Sequence, residues 1–232
     1  LIAVRAFLFI KLQGMTRFKA TDRSKVVRIP QRGIYDKEAV YGILDSSFIC
    51  HIAYLYKGTP VVIPTAYARQ ENAVWVHGAI NNRMLNGILV QNNISLAVTH
   101  MDGLVLARSA FHHSMNYRSV VVFGTASKIT SDDDKMEALR RISENILPGR
   151  WEEVRKPNQQ ELKATLVVRI QIEEASLKQR SGPPVDNDED YDLPIWAGVL
   201  PTTMKYEGPV ADEKMKIDLN LPGSVRQALK VR

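Results

Sequence analysis

Hydrophobic and polar positions along the chain follow two periods, and each period marks its own set of elements. Asp36 is placed to cap a helix whose apolar positions Ala39, Val40, Ile43 and Leu44 recur at helical spacing. Three stretches rich in β-branched and aromatic residues follow, at 48–56, 61–68 and 73–77. They are separated by Lys57-Gly58-Thr59-Pro60 and Arg69-Gln70-Glu71-Asn72, which predicts a β-meander. Helical spacing returns from Asn82 with Met84, Leu85, Ile88 and Leu89, and residues 94–99 revert to a strand after Asn92-Asn93. The run Val120-Val121-Val122-Phe123 before Gly124 predicts a strand buried on both faces. Ser131 then caps a helix that carries Asp132, Asp133 and Asp134 in its first turn and Met136, Leu139, Ile142 and Ile146 on one side, stopped by Pro148-Gly149. A short helix at 159–164 and a β-branched closing strand at 165–172 complete the pattern. Several strands with few helices, in no strict alternation, predict a mainly β protein: a small antiparallel barrel with flanking helices.

Composition narrows the class. With 232 residues, 45% hydrophobic and 24% charged, the chain is long enough to bury one sizeable core. No apolar run approaches the roughly 18 residues a membrane-spanning helix needs, so no membrane role is expected. Cys50 is the single cysteine, which excludes an internal disulfide framework and multi-cysteine metal sites and fits a reducing, cytoplasmic compartment. The net charge is +6, yet residues 1–33 hold eight basic residues against Asp22 alone, so the remainder is close to neutral. Nucleic-acid binding would rest on that basic arm only. The chain opens on Leu1, and Met15 is the first methionine. Residues 1–14 are left unassigned, and their Arg-containing, acid-poor character is compatible with organelle import. The expected organisation is a basic arm over 1–30, a barrel domain over 31–200 and a tail over 201–232. The tail side is preceded by the carboxylates Asp186, Asp188, Glu189, Asp190 and Asp192, which lack the spacing of a calcium loop and read as a solvated acidic loop.

Two polar clusters carry the candidate chemistry. Dinucleotide, phosphate-loop, zinc-protease and nucleophile-elbow motifs are absent. The densest polar segment runs Arg108-Ser109-Ala110-Phe111-His112-His113-Ser114-Met115-Asn116-Tyr117-Arg118-Ser119 directly into the apolar run at Val120. Such a segment at the mouth of a buried strand is costly unless its groups find partners, in a satisfied loop or in a polar ligand. Adjacent His112 and His113 point to opposite faces of a strand and cannot easily chelate one metal together. The second cluster is His77-Gly78-Ala79-Ile80-Asn81-Asn82-Arg83 at a strand-to-helix junction. There Gly78 permits close approach, and Arg83 on the first turn could grip a phosphate.

Together these clusters, with Arg32-Gly33-Ile34-Tyr35-Asp36, the block from Asp102 to Val120, Pro148-Gly149-Arg150-Trp151 and Pro194-Ile195-Trp196-Ala197-Gly198-Val199, closely resemble the flavin-nucleotide-binding branch of the pyridoxamine 5′-phosphate oxidase-like superfamily. The resemblance covers nearly everything after residue 30. It implies a split β-barrel, FMN as cofactor and a homodimer with flavins at the subunit interface. By position, Val62, Ile63, Pro64 and Thr65 resemble the segment that lies along the isoalloxazine ring. His77, Gly78, Ala79, Asn82 and Arg83 resemble the phosphate-binding stretch, with Asn82 where the oxidases often have serine. Asn116, Tyr117, Arg118 and Ser119, beside Arg108, resemble the strand that faces the flavin, from the partner subunit in one arrangement, and Trp196 sits near the end, where the oxidases also place a flavin-side tryptophan. The Arg-Leu signature near the oxidases' C-terminus is missing, which argues against vitamin-B6 oxidation.

The function implied is an FMN-dependent oxidoreductase acting on a small substrate or electron donor, with the cofactor carrying the reaction. Arg83 would neutralise the phosphate, Arg118 would stabilise anionic charge, and His112 or His113 would deliver protons. The alternatives are a non-catalytic FMN carrier or sensor, and a haem-binding or haem-degrading barrel that uses a histidine as axial ligand.

Overall fold

The computed structural model describes residues 16–91, 93–217 and 219–230; the expected unassigned segment 1–14 lies outside them. Its strands are Gly33–Ile34 (β1), Ile49–Tyr56 (β2), Thr59–Gln70 (β3), Ala73–Ala79 (β4), Ile94–Leu106 (β5), Ser114–Ile129 (β6), Thr165–Arg180 (β7) and Gly198–Pro201 (β8). The helices are Lys37–Asp45 (α1), Arg83–Gln91 (α2), Asp132–Ile146 (α3), Gln159–Ala164 (α4) and Gly223–Ala228 (α5). All strand pairings are antiparallel in the order β1-β7-β4-β3-β2-β5-β6, and β6 pairs back onto β7, so β2 to β7 close into a ring. This is the mainly β barrel with flanking helices that the periodicity predicts.

Alternation along the strands fills the ring. Ile94, Leu96 and Val98 on β5, Val120 and Val122 on β6, and Leu166, Val168, Ile170 and Ile172 on β7 are buried, with Tyr67 and Val76 from β3 and β4. One end is stoppered by Val40 and Leu44 of α1, and Leu85 and Ile88 of α2 seal another face. Asp36 and Ser131 cap α1 and α3 as the sequence predicts, each accepting a hydrogen bond from a backbone N–H in the first turn, and the structure adds Asn158, which forms a capping box with Glu161 at the start of α4.

Three strands run longer than the apolar pattern suggests. β5 continues through a bulge between Met101 and Gly103 to Leu106, β6 begins at Ser114, and β7 ends at Arg180. Cross-strand pairing supplies what their polar side chains do not, since β6 pairs with β5 from Ser114 to Gly124 and with β7 from Tyr117 to Ile129. The ladder breaks once between β6 and β7, beside Gly124, where a Cβ would stand 1.9 Å from the Gln171 carbonyl oxygen. Residues 16–32, from the basic stretch, lie on the barrel. Phe18 is buried edge-on against Tyr41, and Arg23 pairs with Glu174 at 2.8 Å while covering the Phe123 ring. Among the described residues no helix is long and apolar enough to cross a membrane.

Candidate functional site

The ring has a seam. β3 pairs with the whole of β2 through Thr59 to Ala66, but meets β4 only from Tyr67 to Gln70. Beyond the Tyr67–Val76 pair the two strands part, because β4 turns to follow β7, pairing His77, Gly78 and Ala79 with Val167, Leu166 and Thr165. Val62, Ile63, Pro64 and Thr65 therefore present one strand edge with no strand partner among the described residues. Ile63 leans on the core and Val62 is 59% exposed. An unpaired edge of this kind is free to hydrogen-bond a ligand.

Across the seam, β4 feeds α2 through a tight turn. The Asn82 side chain caps the helix by accepting from the Leu85 N–H at 3.0 Å, and the Asn82 N–H donates to the Ala79 carbonyl at 2.8 Å. This assigns Asn82 a local task that leaves its oxygen committed to the backbone. Gly78 is required by close approach: a Cβ there would lie 3.1 Å from both the Asn82 amide nitrogen and a Leu85 methyl. Arg83 follows on the first turn, its guanidinium stacked 4.6 Å over the Tyr56 ring, and among the described residues no carboxylate pairs with it. His77 is mostly buried. Among the described residues its Nδ1 has no hydrogen-bond partner, and burial pushes its pKa down, so the imidazole is neutral near pH 7.

The second polar cluster lies at the far end of β6. Asn116 is buried and donates to the Gly182 carbonyl at 3.1 Å, Ser119 shares a hydrogen bond with Thr99 at 2.8 Å, and Tyr117 is half-buried. Arg118 grips Asp102 with two bonds of 2.9 and 2.6 Å, and its guanidinium holds the Asp102 carboxyl below the usual carboxylate value. That pair already neutralises the charge the sequence reading gave to a flavin or substrate anion. His112 ends a 3-10 turn, Ala110–His112, with its ring edge-on to the 88% exposed Phe111, and His113 follows in the open.

Arg108 and Trp196 belong to this same end. The Trp196 ring packs over Gly198, whose strand β8 pairs with the last residues of β5. Arg108 is clamped by Asp186, which accepts from the Arg108 N–H at 3.0 Å, from the Ser109 N–H at 3.3 Å and from the Arg108 guanidinium at 3.2 Å. Asp186 is thus no member of a solvated acidic loop: its side chain is sealed from solvent, because the chain after β7 folds back over the β5–β6 connection. Nothing in a run of five carboxylates distinguishes the buried one. Tyr56 under Arg83 and Asp102 opposite Arg118 also lie outside the sequence reading, since each contact crosses between elements.

The two clusters do not meet within one chain. His77 pairs with Val167, which pairs with Ile129 at one end of β6, whereas Asn116 to Ser119 lie at the other, so roughly 30 Å of coiled strand at about 3.3 Å per residue separates them.

A closed antiparallel barrel with one parted seam, and a strand-to-helix turn carrying an arginine beside it, is the architecture of the split-barrel class. Within that class the chain belongs to the pyridoxamine 5′-phosphate oxidase family, whose model, described as pyridoxamine 5′-phosphate oxidase, matches residues 36–179. Among solved structures it is similar to the flavocytochrome Anf3 from Azotobacter vinelandii, at 36% identity over 90% of this chain and 97% of that one, with a TM-score of 0.84. It is also similar to the FAD and haem binding protein from Mycobacterium smegmatis, at 33% identity over 85% of this chain and 97% of the other, with a TM-score of 0.80. No curated protein matches the chain.

Proposed function

We propose that this chain is a flavin-binding redox protein that also holds haem and works as a homodimer. The observation that carries the reading is the seam, where an unpaired strand edge faces a turn bearing an arginine without a carboxylate and a neutral, buried histidine with an unpartnered ring nitrogen. These groups fit a flavin nucleotide. The free main-chain edge at Val62, Ile63 and Thr65 can bond a flat heteroaromatic rim, and Arg83 can neutralise phosphate. They fit haem as well, because an iron ligand must be an unprotonated imidazole and burial keeps His77 in that form.

The similarity to a flavocytochrome and to an FAD and haem binding protein, both above 30% identity, supports FAD with haem over FMN alone. When bound, the flavin supplies hydride and single-electron exchange and the haem single-electron transfer. The chain binds, orients and sets the local charge. His112 and the exposed His113, at the far end of β6, reach a cofactor at the seam only from a second copy. The separation of the two clusters, together with the contiguous exposed Leu104, Met115 and Leu200 on paired strands β5, β6 and β8, supports the homodimer.

The test is the absorbance spectrum of the purified protein, followed by heat release of the flavin, phosphodiesterase digestion and anaerobic addition of NADH or NADPH. Flavin bands with a Soret band, a rise in fluorescence on digestion and bleaching by a donor are expected. A flavin unaffected by phosphodiesterase identifies FMN and overturns FAD. Absence of a Soret band from protein made with ample haem overturns the haem assignment, and bound flavin that no donor reduces overturns the catalytic reading in favour of a carrier.

A further inference from the structure

Away from the seam, where β7 ends beside β1, two arginines face one open cavity of about 440 Å³ whose polar lining consists of Gln31, Arg32, Gln179, Arg180 and Ser181. Each of these side chains can donate hydrogen bonds, and none is acidic. Arg180 is nine-tenths buried, yet its guanidinium bonds only neutral oxygens: the Asn116 side chain, the Gly182 carbonyl at 3.1 Å and the Pro183 carbonyl at 2.9 Å. Among the described residues no carboxylate pairs with Arg180 or Arg32, and residues 1–15 contain no Asp or Glu. A buried cation normally has a partner of opposite charge, because its lost hydration is otherwise uncompensated. Burial, and then the like charge of Arg32, push the Arg180 pKa down, with Tyr117 opposing, so the two guanidinium groups sense each other.

We propose that Arg32 and Arg180, the latter adjoining Asn116 and Tyr117 on β6, form a binding site for a phosphate-bearing small molecule, separate within the chain from the turn at His77 and Arg83. Two cations around one space suit a group that carries close to two negative charges and several acceptor oxygens, as phosphate does near neutral pH. A single carboxylate leaves one guanidinium unmatched. The cavity is large enough for more than free phosphate, within the roughly 300–1,000 Å³ of small-molecule sites, so the phosphate is the anchor of a larger ligand. Arg180, pinned through three neutral acceptors, is the fixed wall, and Arg32, half-exposed at the end of the Pro30–Arg32 turn, is the mobile one.

This inference does not rest on the flavin and haem reading, and its test is independent of it. The full chain carrying Arg83→Ala, which removes the candidate phosphate seat on α2, is titrated calorimetrically with inorganic phosphate, with ionic strength held by sodium chloride. Saturable binding is expected. A second substitution, Arg32→Ala, should weaken it at least tenfold without lowering the thermal midpoint in chloride alone, since the side chain lost is half-exposed and carries a charge like that of Arg180. Acetate at equal concentration should not displace the phosphate. Equal binding with and without Arg32, displacement by acetate, or no saturable binding in the Arg83→Ala chain overturns the proposal. Arg180→Lys, which keeps a charge but loses the planar fork, should also weaken binding, and unchanged affinity in a folded Arg180→Lys chain counts against Arg180 as the anchor.

Discussion

Arg83 stands on the first turn of its helix with an aromatic ring beneath it and no carboxylate beside it. A cation in that setting costs little to keep and is available to an anion, whereas the same residue paired with an acid would not be. Charge-assisted hydrogen bonds contribute roughly 1.5 to 3 kcal/mol, so Arg83→Ala should weaken binding of a phosphate-bearing flavin by roughly tenfold to a hundredfold and leave riboflavin binding nearly unchanged. Fluorescence titration of the apoprotein with both flavins checks this, and equal losses for the two would remove Arg83 from the phosphate. Asp186 gives the second expectation at this scale. Burial raises its pKa, but the N–H groups of Arg108 and Ser109 and the Arg108 guanidinium together outweigh that effect and hold it below the usual carboxylate value. A depressed folded pKa contributes stability above the unfolded value of about 3.9, and that contribution is lost as pH falls through the folded one. Hydrogen exchange at the Arg108 and Ser109 amides should therefore be slow near neutrality and lose protection only below about pH 4. In Asp186→Asn both amides should exchange faster near neutrality, with the difference shrinking as pH falls below about 4. The identity of these residues was legible in the sequence, but their partners were not: Arg83 meets Tyr56, Arg118 meets Asp102 and Arg108 meets Asp186 through contacts that no spacing along the chain encodes.

Periodicity located α1, α2, α3 and α4 within a residue or so, because their apolar stripes and the caps Asp36 and Ser131 are local properties, while the capping by Asn82 and Asn158 came from the structure. It placed β5, β6 and β7 but not their lengths. The segment Asn116 to Ser119 carries no apolar alternation and becomes strand only because β5 and β7 flank it. β8 has too few residues to signal itself, and pairing with Gly103 to Leu106 defines it. Gly124 shows the same dependence at one position. The sequence marks it as the end of an apolar run, while the structure places it inside β6 at a break in the ladder, with the Gln171 carbonyl where a Cβ would sit. Since backbone rather than a flexible side chain fills that space, Gly124→Ala should cost about 3 kcal/mol or more, above the usual range for overpacking. Chemical denaturation of the variant beside Gly208→Ala, where nothing lies within 4 Å, checks it; similar midpoints would show that the bulge relaxes at little cost.

At the scale of the whole molecule the two candidate clusters sit at opposite ends of β6, and a stripe of exposed apolar residues, Leu104, Met115 and Leu200, crosses three adjacent strands. Light scattering of the cofactor-loaded protein should accordingly give twice the 26.2 kDa chain mass. A monomer that retains its cofactor would show that the clusters serve separate purposes. The sequence by itself determined the mainly β barrel, its flanking helices and caps, the family, and the turn His77 to Arg83, because hydrophobic period, capping and tight-turn chemistry act between residues near in the chain. Only the tertiary structure decided where the barrel parts, which charges are already paired and which arginines face a cavity without an acid. Those outcomes depend on which strands run out of partners and which distant side chains meet, and ring closure between β6 and β7 sets both.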